Sequence, residues 1–417
     1  MELKELKKAE FENYVQNSIL GNYCQTEGYA KLMKLNGYNS LFLGLFDDYN
    51  HLIAASLLLI NKLNCFYNYA YAPKGFILDY SNRETIDLFT KKIKIYLKKK
   101  RIVFIKINPE IAIAEIDKKT KQKKYNWNIE IKNYLSDLGY IKLKDNLNFE
   151  AKFPKYNGIL HLKKFDLKTL DKNTRNKINK AKNKGLNFEK ASFNELPILY
   201  EFIKRKKEKS LTYYQEYFKV FDRTAIDLFL VSLDTAEFLN NAKKLYDEEL
   251  KKNSELVANL NKMKNEKKLN LKMNSDQKLL NYKNYLLEAQ NKIKKSEKIY
   301  IGGALVLKYK NRINIIISGY DQNYKRFNPN YLLHYEIFNY YKKNYAFADM
   351  NGITGDFKKE NPYYGLNKFK LGFKPKIYEF IGEYDLPIFP FLYKWNLKNG
   401  KLAKRLNRKN LKKTVLN

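Results

Sequence analysis

The spacing of apolar residues changes period several times along this chain, and each change predicts an element. Leu41 to Phe46 and Leu52 to Ile60 are apolar runs on either side of Asp47-Asp48-Tyr49-Asn50. Two such runs around a turn-forming tetrapeptide predict a buried β-hairpin. Phe11 to Leu20, Arg83 to Lys98 and Trp127 to Leu138 read as helices, the last closed by Gly139. Ile102 to Ile107 reads as a strand ending at Asn108-Pro109, and Tyr71 to Gly75 as a loop. Ile159 to Leu162 predicts a short strand. A helix follows from Asp171 to Lys184, with Gly185 just past its end, where a helix terminates most readily. Its apolar stripe is thin: Leu170, Thr174, Ile178 and Ala181. Its other faces carry Lys172, Arg175, Lys177, Lys180, Lys182 and Lys184.

From Ile198 to Ile301 there is neither glycine nor proline. Within this stretch Leu239, Ala242, Tyr246, Glu249, Asn253, Leu256, Leu260 and Met263 are spaced alternately three and four apart. The pattern resumes with Leu279, Tyr282, Leu286, Ala289 and Ile293. It predicts an antiparallel coiled-coil hairpin, with the polar stretch Lys272 to Asp276 as its turn. Glu249 and Asn253 in the seam would set register at a cost in stability. Ala304 to Tyr309 and Ile313 to Ser318 read as strands, so the hairpin interrupts an α/β domain. The last 28 residues, Pro390 to Asn417, hold nine basic and no acidic residues, with Leu397, Leu402, Leu406 and Leu411 among them. They fit either a solvated basic tail or a helix on an anionic surface.

A chain of 417 residues exceeds one ordinary core and predicts two domains, or one pseudo-duplicated domain with an insertion. Two cysteines, Cys24 and Cys65, supply no disulfide framework and fit a reducing compartment. The N-terminal residues lack the apolar stretch of a signal peptide, and no run of about 18 apolar residues predicts a transmembrane helix. Eighty basic against 44 acidic residues give a net charge of +36. That charge fits a polyanionic partner. It also fits the coding bias of an AT-rich genome, since only nine of the 80 are arginine.

His51, His161 and His334 are scattered, and no metal-ligand spacing, Walker loop, GxGxxG or nucleophile elbow occurs. Acyl transfer to an amine needs none of these. It needs a bound amine, a reactive ester and a positive group near the developing oxyanion. The segment Pro362 to Pro387 offers one. A loop rich in Gly, Pro and Tyr presents Lys370 in an aromatic frame of Tyr364, Phe369 and Phe373, ahead of an alternating strand at Ile377 to Ile381.

The ordered motifs resemble the Fem family of non-ribosomal aminoacyltransferases over nearly the whole chain. Gln25-Thr26-Glu27-Gly28-Tyr29-Ala30-Lys31 is similar to the family's Q-x-x-x-W/Y-x-x-K motif, with the lysine one place early. Tyr71-Ala72-Pro73-Lys74-Gly75 with Asp79 resembles its Y-x-x-R/K-G-P-x-x-D turn, with Phe76 for the proline. Arg175, Ile178, Ala181 and Gly185 match its basic helix. Asn330 to Glu336 is similar to a further helix motif. Phe369-Lys370-x-x-Phe373, followed by Glu379 to Asp385, is the most specific piece. The family's arginine ahead of a tyrosine is replaced here by Tyr213 ahead of Tyr217, and Ile317 stands where some members have tyrosine.

The resemblance implies two acetyltransferase-like (GNAT-like) α/β subdomains forming a cleft, with an inserted coiled-coil arm. The segments are 1–158 for the first, 159–236 with 299–389 for the second, 237–298 for the arm and 390–417 for the basic tail. It implies Lys370 and Phe369 at the chemistry, and Lys31, Lys34, Tyr213, Tyr217 and Tyr364 on the acceptor. On tRNA or phosphate it implies Arg175, Lys177, Lys180 and Lys184. The donor would be aminoacyl-tRNA, and the acceptor a peptidoglycan precursor, either lipid II or UDP-MurNAc-pentapeptide. No metal and no further cofactor is expected. The setting would be the cytoplasm, with peripheral contact at the inner membrane. Two other readings remain from the residues: a non-catalytic tRNA-binding protein, and an acyl-CoA-dependent N-acyltransferase. The second lacks the pyrophosphate loop Q/R-x-x-G-x-G/A.

Overall fold

The computed structural model describes residues 1–145, 147–149, 151–204, 209–262 and 266–399. In chain order the first part comprises β1 (Glu2–Glu5), α1 (Lys8–Asn17), α2 (Glu27–Lys34), β2 (Asn39–Phe46), β3 (Leu52–Lys62), β4 (Asn68–Ala72), β5 (Ile77–Leu78), α3 (Arg83–Lys99), β6 (Ile102–Ile107), β7 (Ala112–Ile116), β8 (Lys123–Tyr125), α4 (Ile129–Asp137) and β9 (Ile141–Lys142). Then come β10 (Tyr156–His161), α5 (Lys172–Lys182), β11 (Leu186–Ala191), α6 (Leu196–Ile203), α7 (Leu211–Val220), β12 (Ile226–Asp234), α8 (Thr235–Lys262) and α9 (Glu266–Ile293). The chain closes with β13 (Lys298–Tyr309), β14 (Arg312–Tyr320), α10 (Pro329–Tyr341), β15 (Phe347–Ile353), α11 (Tyr364–Leu371), β16 (Lys376–Phe380), β17 (Tyr384–Pro387) and α12 (Pro390–Asn399).

The strands form two sheets. The first runs β1-β2-β3-β4-β6-β17-β9 with β5 on β3, and the second β11-β12-β13-β14-β15-β10-β16-β7-β8. The expected hairpin is β2–β3, with Leu41 opposite Leu58. The Asp47 carboxylate fixes its turn by accepting from the Tyr49 and His51 amides. α3 starts where Asn82 accepts from the Thr85 amide, and buries Ile86, Phe89, Ile93 and Leu97 at three- and four-residue spacing. Tyr71 and Ala72, expected in a loop, close β4. The boundary expected at 158 does not separate the sheets. β7 and β8 lie at the edge of the second sheet, and β17 inserts between β6 and β9 of the first. Two crossings tie the lobes together.

Each lobe contains one parallel strand pair among its described strands, β4 with β6 and β14 with β15. β14 and β15 pair only from Arg312–Asn314 to Phe347–Asp349. Beyond that, β14 stays with β13 and β15 with β10, so the two strands part. The second sheet buries both faces by alternation. Leu228 and Leu230 join a core with α2, α6, α7 and the first sheet. Phe229, Val231 and Leu233 join another with α5, α10 and α11.

α8 and α9 run antiparallel. The turn expected at Lys272 to Asp276 is instead helical, and the reversal falls between Lys262 and Glu266, with Met263 outside the described residues. The polar stretch belongs to the seam. The Ser275 hydroxyl donates to Glu249 at 2.7 Å, and Asn253 donates to Asp276 at 2.8 Å. The base of the hairpin is not independent of the lobe. Phe238, Ala242 and Ala289 are buried in the α5–α10 core. No helix among the described residues is long and apolar enough to cross a membrane. Of the expected basic tail, residues 400–417 lie outside the described residues.

Candidate active site

Lys370 sits in the last turn of α11, not in a loop. Pro362 precedes the helix, and Gly365 lies in its exposed first turn, where nothing crowds it. Neither residue therefore prevents the helix from forming. The side chain of Lys370 is 8% exposed. Its Nζ donates to the Gly352 carbonyl at 2.6 Å, on the part of β15 that has left β14. Asn367, one turn earlier, donates to the Thr354 hydroxyl and accepts from its amide, which fixes α11 against the end of β15.

The aromatic frame differs in membership from the expected one. Phe369 meets the rings of Tyr331 and His334, each 4.9 Å away and edge-on, and Phe373 packs on Phe338. Tyr364 is half-buried at the start of the helix. Tyr331 and His334 come from α10, and their signal was present in the Asn330 to Glu336 motif. Burial pushes the His334 imidazole down to about 4, with nearby Lys370 acting in the same direction. Its Nδ1 is 2.9 Å from the Asn330 carbonyl.

The basic helix α5 is part of the same cluster. A Cβ on Gly372 would lie 2.1 Å from the Thr174 hydroxyl, so only glycine permits this approach of α5 to the end of α11. Lys177 donates to the Tyr331 hydroxyl at 2.9 Å and lies over its ring, and Tyr331 in turn contacts Phe369. Arg175 donates to the Lys168 carbonyl at 2.8 Å. Lys180 is exposed. Lys184 bonds the Tyr285 hydroxyl and the Arg326 carbonyl, which anchors the base of α9.

Lys31, Lys34, Tyr213 and Tyr217 form a second group across the second sheet, where α2 packs on α7. Gly28 makes the contact possible, since a Cβ there would lie 2.7 Å from the Val220 carbonyl. Lys31 is exposed and pairs with Glu27 at 3.0 Å, and Lys34 is exposed. Tyr217 is buried, stacks on Phe221 and meets Tyr213 edge-on. Burial holds both phenols above the ordinary range, so they act as neutral hydrogen-bonding groups. Gln25 is a structural residue. It accepts from the Leu57 amide and donates to the Pro73 carbonyl, which fixes α2 to the 73–76 turn. Burial raises the Cys24 thiol to about 12, which rules it out as a thiolate nucleophile near neutral pH.

Several charged residues were not anticipated as site residues. Lys74 is buried between the rings of Phe153 and Phe380, 5.2 Å from each. Lys152 lies 4.8 Å from the Tyr71 ring centre and 5.4 Å from that of Tyr38. Glu110, after β6, pairs with Arg312 at the start of β14 and accepts from Asn22. Burial alone would raise Glu110, but the Arg312 and Lys74 charges prevail and lower it. Asp349 is pushed up by burial and accepts from Asn157 and the Asn351 amide. It lies where β14 and β15 part. The Y-A-P-K-G turn carried the signal for Lys74. The Glu110–Arg312 pair spans 202 positions, and no local pattern shows it.

The FemAB family matches residues 6–397. The chain is 25% identical over 415 residues to the aminoacyltransferase FemA of Staphylococcus epidermidis, covering 94% of this chain and 97% of that protein. It is 25% identical over 410 residues to FemB of the same species, covering 93% and 95%. Among solved structures, a crystal structure of FemX superposes with a TM-score of 0.72 at 22% identity, over 95% of this chain and 99% of that one.

Proposed function

This chain belongs to the FemAB family, and on that footing we propose that it transfers an aminoacyl group from aminoacyl-tRNA to an amine of a peptidoglycan-precursor stem peptide, building the interpeptide bridge. The observation that carries the mechanism is the placement of Lys370. A buried ammonium is held by the Gly352 carbonyl beside the gap between β14 and β15.

The donor is an ester at the tRNA 3′ end. The acceptor amine has an ordinary pKa of roughly 10 and attacks only after losing its proton. Attack on the ester carbonyl forms the new C–N bond and moves the π electrons onto oxygen. Lys370 stabilises that oxyanion, an effect of about 3 kcal/mol for one well-placed donor. Collapse breaks the C–O bond, and the proton lost by the attacking nitrogen passes to the leaving ribose oxygen. No acyl-enzyme forms, and no cofactor is needed beyond the co-substrate.

The two groups of residues divide the substrates. The acceptor binds on the α2–α7 side through Lys31, Lys34, Tyr213 and Tyr217, and Lys74 and Lys152 add positive charge for its phosphates. The tRNA lies on the α5 side over Arg175, Lys177 and Lys180, with the coiled-coil arm as a further contact. Donor and acceptor meet at the strand gap from opposite faces of a GNAT-like second lobe. This work takes place in the cytoplasm, where aminoacyl-tRNA is found. The test is reconstitution with a mixed aminoacyl-tRNA pool and either lipid II or UDP-MurNAc-pentapeptide, read by mass spectrometry. A mass gain of one or more aminoacyl residues on one acceptor supports the reading, and tRNA binding without any gain contradicts it.

A further inference from the structure

The surface around α12 exposes large aromatic rings. Phe391 is 80% exposed and Trp395 50% exposed, four residues apart on one face of the helix. Phe66, 74% exposed, projects from the β3–β4 turn. The two features share a small core. Tyr67 contacts Phe389 edge-on at 5.9 Å, and Tyr393 packs on Phe104, itself stacked on Tyr69. Tyr393 also donates to the buried Asp385, which fixes the inward face of α12. The exposed rings therefore stand on a rigid base.

Lysines lie on the same elements, Lys394 and Lys398 on α12 and Lys62 at the end of β3. Lys62, Lys394 and Lys398 are exposed, and among the described residues no carboxylate pairs with them. The chain continues past α12 for 18 residues, 400–417, with seven basic and no acidic side chains. Large apolar rings left exposed together on one surface mark a site of interaction. An interface of headgroups and acyl chains accommodates both groups, with the rings at the boundary and the cations among anionic headgroups.

We infer that α12 and the β3–β4 turn form a docking surface for an anionic lipid bilayer, with Phe66, Phe391 and Trp395 entering the interface and the lysines binding headgroup phosphates. The inference rests on surface chemistry alone and stands whether or not the transfer reaction is as proposed.

The test uses the full chain carrying Trp127→Phe, which leaves Trp395 as the sole tryptophan. Sedimentation and Trp395 emission are measured with vesicles of phosphatidylcholine, and of phosphatidylcholine mixed with phosphatidylglycerol. The expected result is binding to the mixed vesicles with a blue shift of Trp395. Lys394→Gln and Lys398→Gln should each weaken binding about fivefold. The triple variant Phe66→Ser, Phe391→Ser, Trp395→Ser should weaken sedimentation at least about tenfold. All five positions are exposed, so the melting temperature should hold. Vesicle binding without a Trp395 shift, and unchanged in the triple variant, would overturn the inference by reducing it to charge alone. Absence of vesicle binding together with self-association lost in the triple variant would overturn it in favour of a second copy of the chain.

Discussion

The Nζ of Lys370 lies 2.6 Å from the carbonyl oxygen of Gly352, and this bond joins α11 to the strand that parts from β14. A lysine has four flexible side-chain bonds, and a free one would be a poor oxyanion donor. In the proposed mechanism, fixing its ammonium before substrate arrives removes that cost from the reaction.

The ion pair between Glu110 and Arg312, buried on the glutamate side, should behave as a partly buried pair that links the lobes. Arg312→Met leaves the buried Glu110 carboxylate to Lys74 and Asn22, without its guanidinium partner, and should cost about 3 kcal/mol. Adding Glu110→Gln should restore part of that loss. Urea unfolding of both variants measures it, and a double variant no more stable than Arg312→Met would contradict the coupling.

His334 should make the protein acid-sensitive. Its folded value near 4 is below the ordinary 6.5, so below pH 6.5 the unfolded chain binds a proton that the native state excludes. Stability therefore falls as pH drops from 6.5 towards 4. Between pH 7 and 5 the wild type should lose about 2 kcal/mol more than His334→Gln, at about 1.4 kcal/mol per pKa unit. Parallel losses in the two proteins would show that His334 is not the group responsible.

The helical hairpin should tolerate trimming only above its base. Replacing 247–282 by a short glycine linker removes the Glu249–Ser275 network and leaves Phe238, Ala242 and Ala289 in the core. That variant should melt within a few degrees of wild type. Deleting 238–298 removes those buried side chains and should cost several kcal/mol. Thermal unfolding by circular dichroism distinguishes them.

The salt dependence of tRNA binding should identify which lysines of α5 meet phosphate. Lys180→Gln should flatten the slope of log K against log salt by about 0.7 to 0.9. Lys184 is engaged by Tyr285 and Arg326, so Lys184→Gln should lower stability more than it changes that slope. An unchanged slope in Lys180→Gln would remove α5 from the tRNA surface.

Local patterns carried much of this fold. The β2–β3 hairpin, α3, β6 and the helical character of α8 and α9 follow from apolar spacing that each segment holds by itself. The hairpin turn was misread because Lys272, Asn274, Ser275 and Asp276 look like a loop. The partners of Ser275 and Asp276, Glu249 and Asn253, lie more than 20 positions earlier. Lys370 lies on a helix where Pro362 and Gly365 suggest a loop, because the inward face of that short helix is set by α5 and α10 rather than by its own sequence. The strand exchange of β7, β8 and β17, and the Glu110–Arg312 pair, depend on long-range pairing that no local signal encodes.

The most direct test is single-turnover aminoacyl transfer by Lys370→Met, which keeps the aliphatic stem. The account predicts a fall in the transfer rate of at least about tenfold, with tRNA and precursor affinities little changed. Transfer at a near-normal rate by a correctly folded Lys370→Met would contradict it.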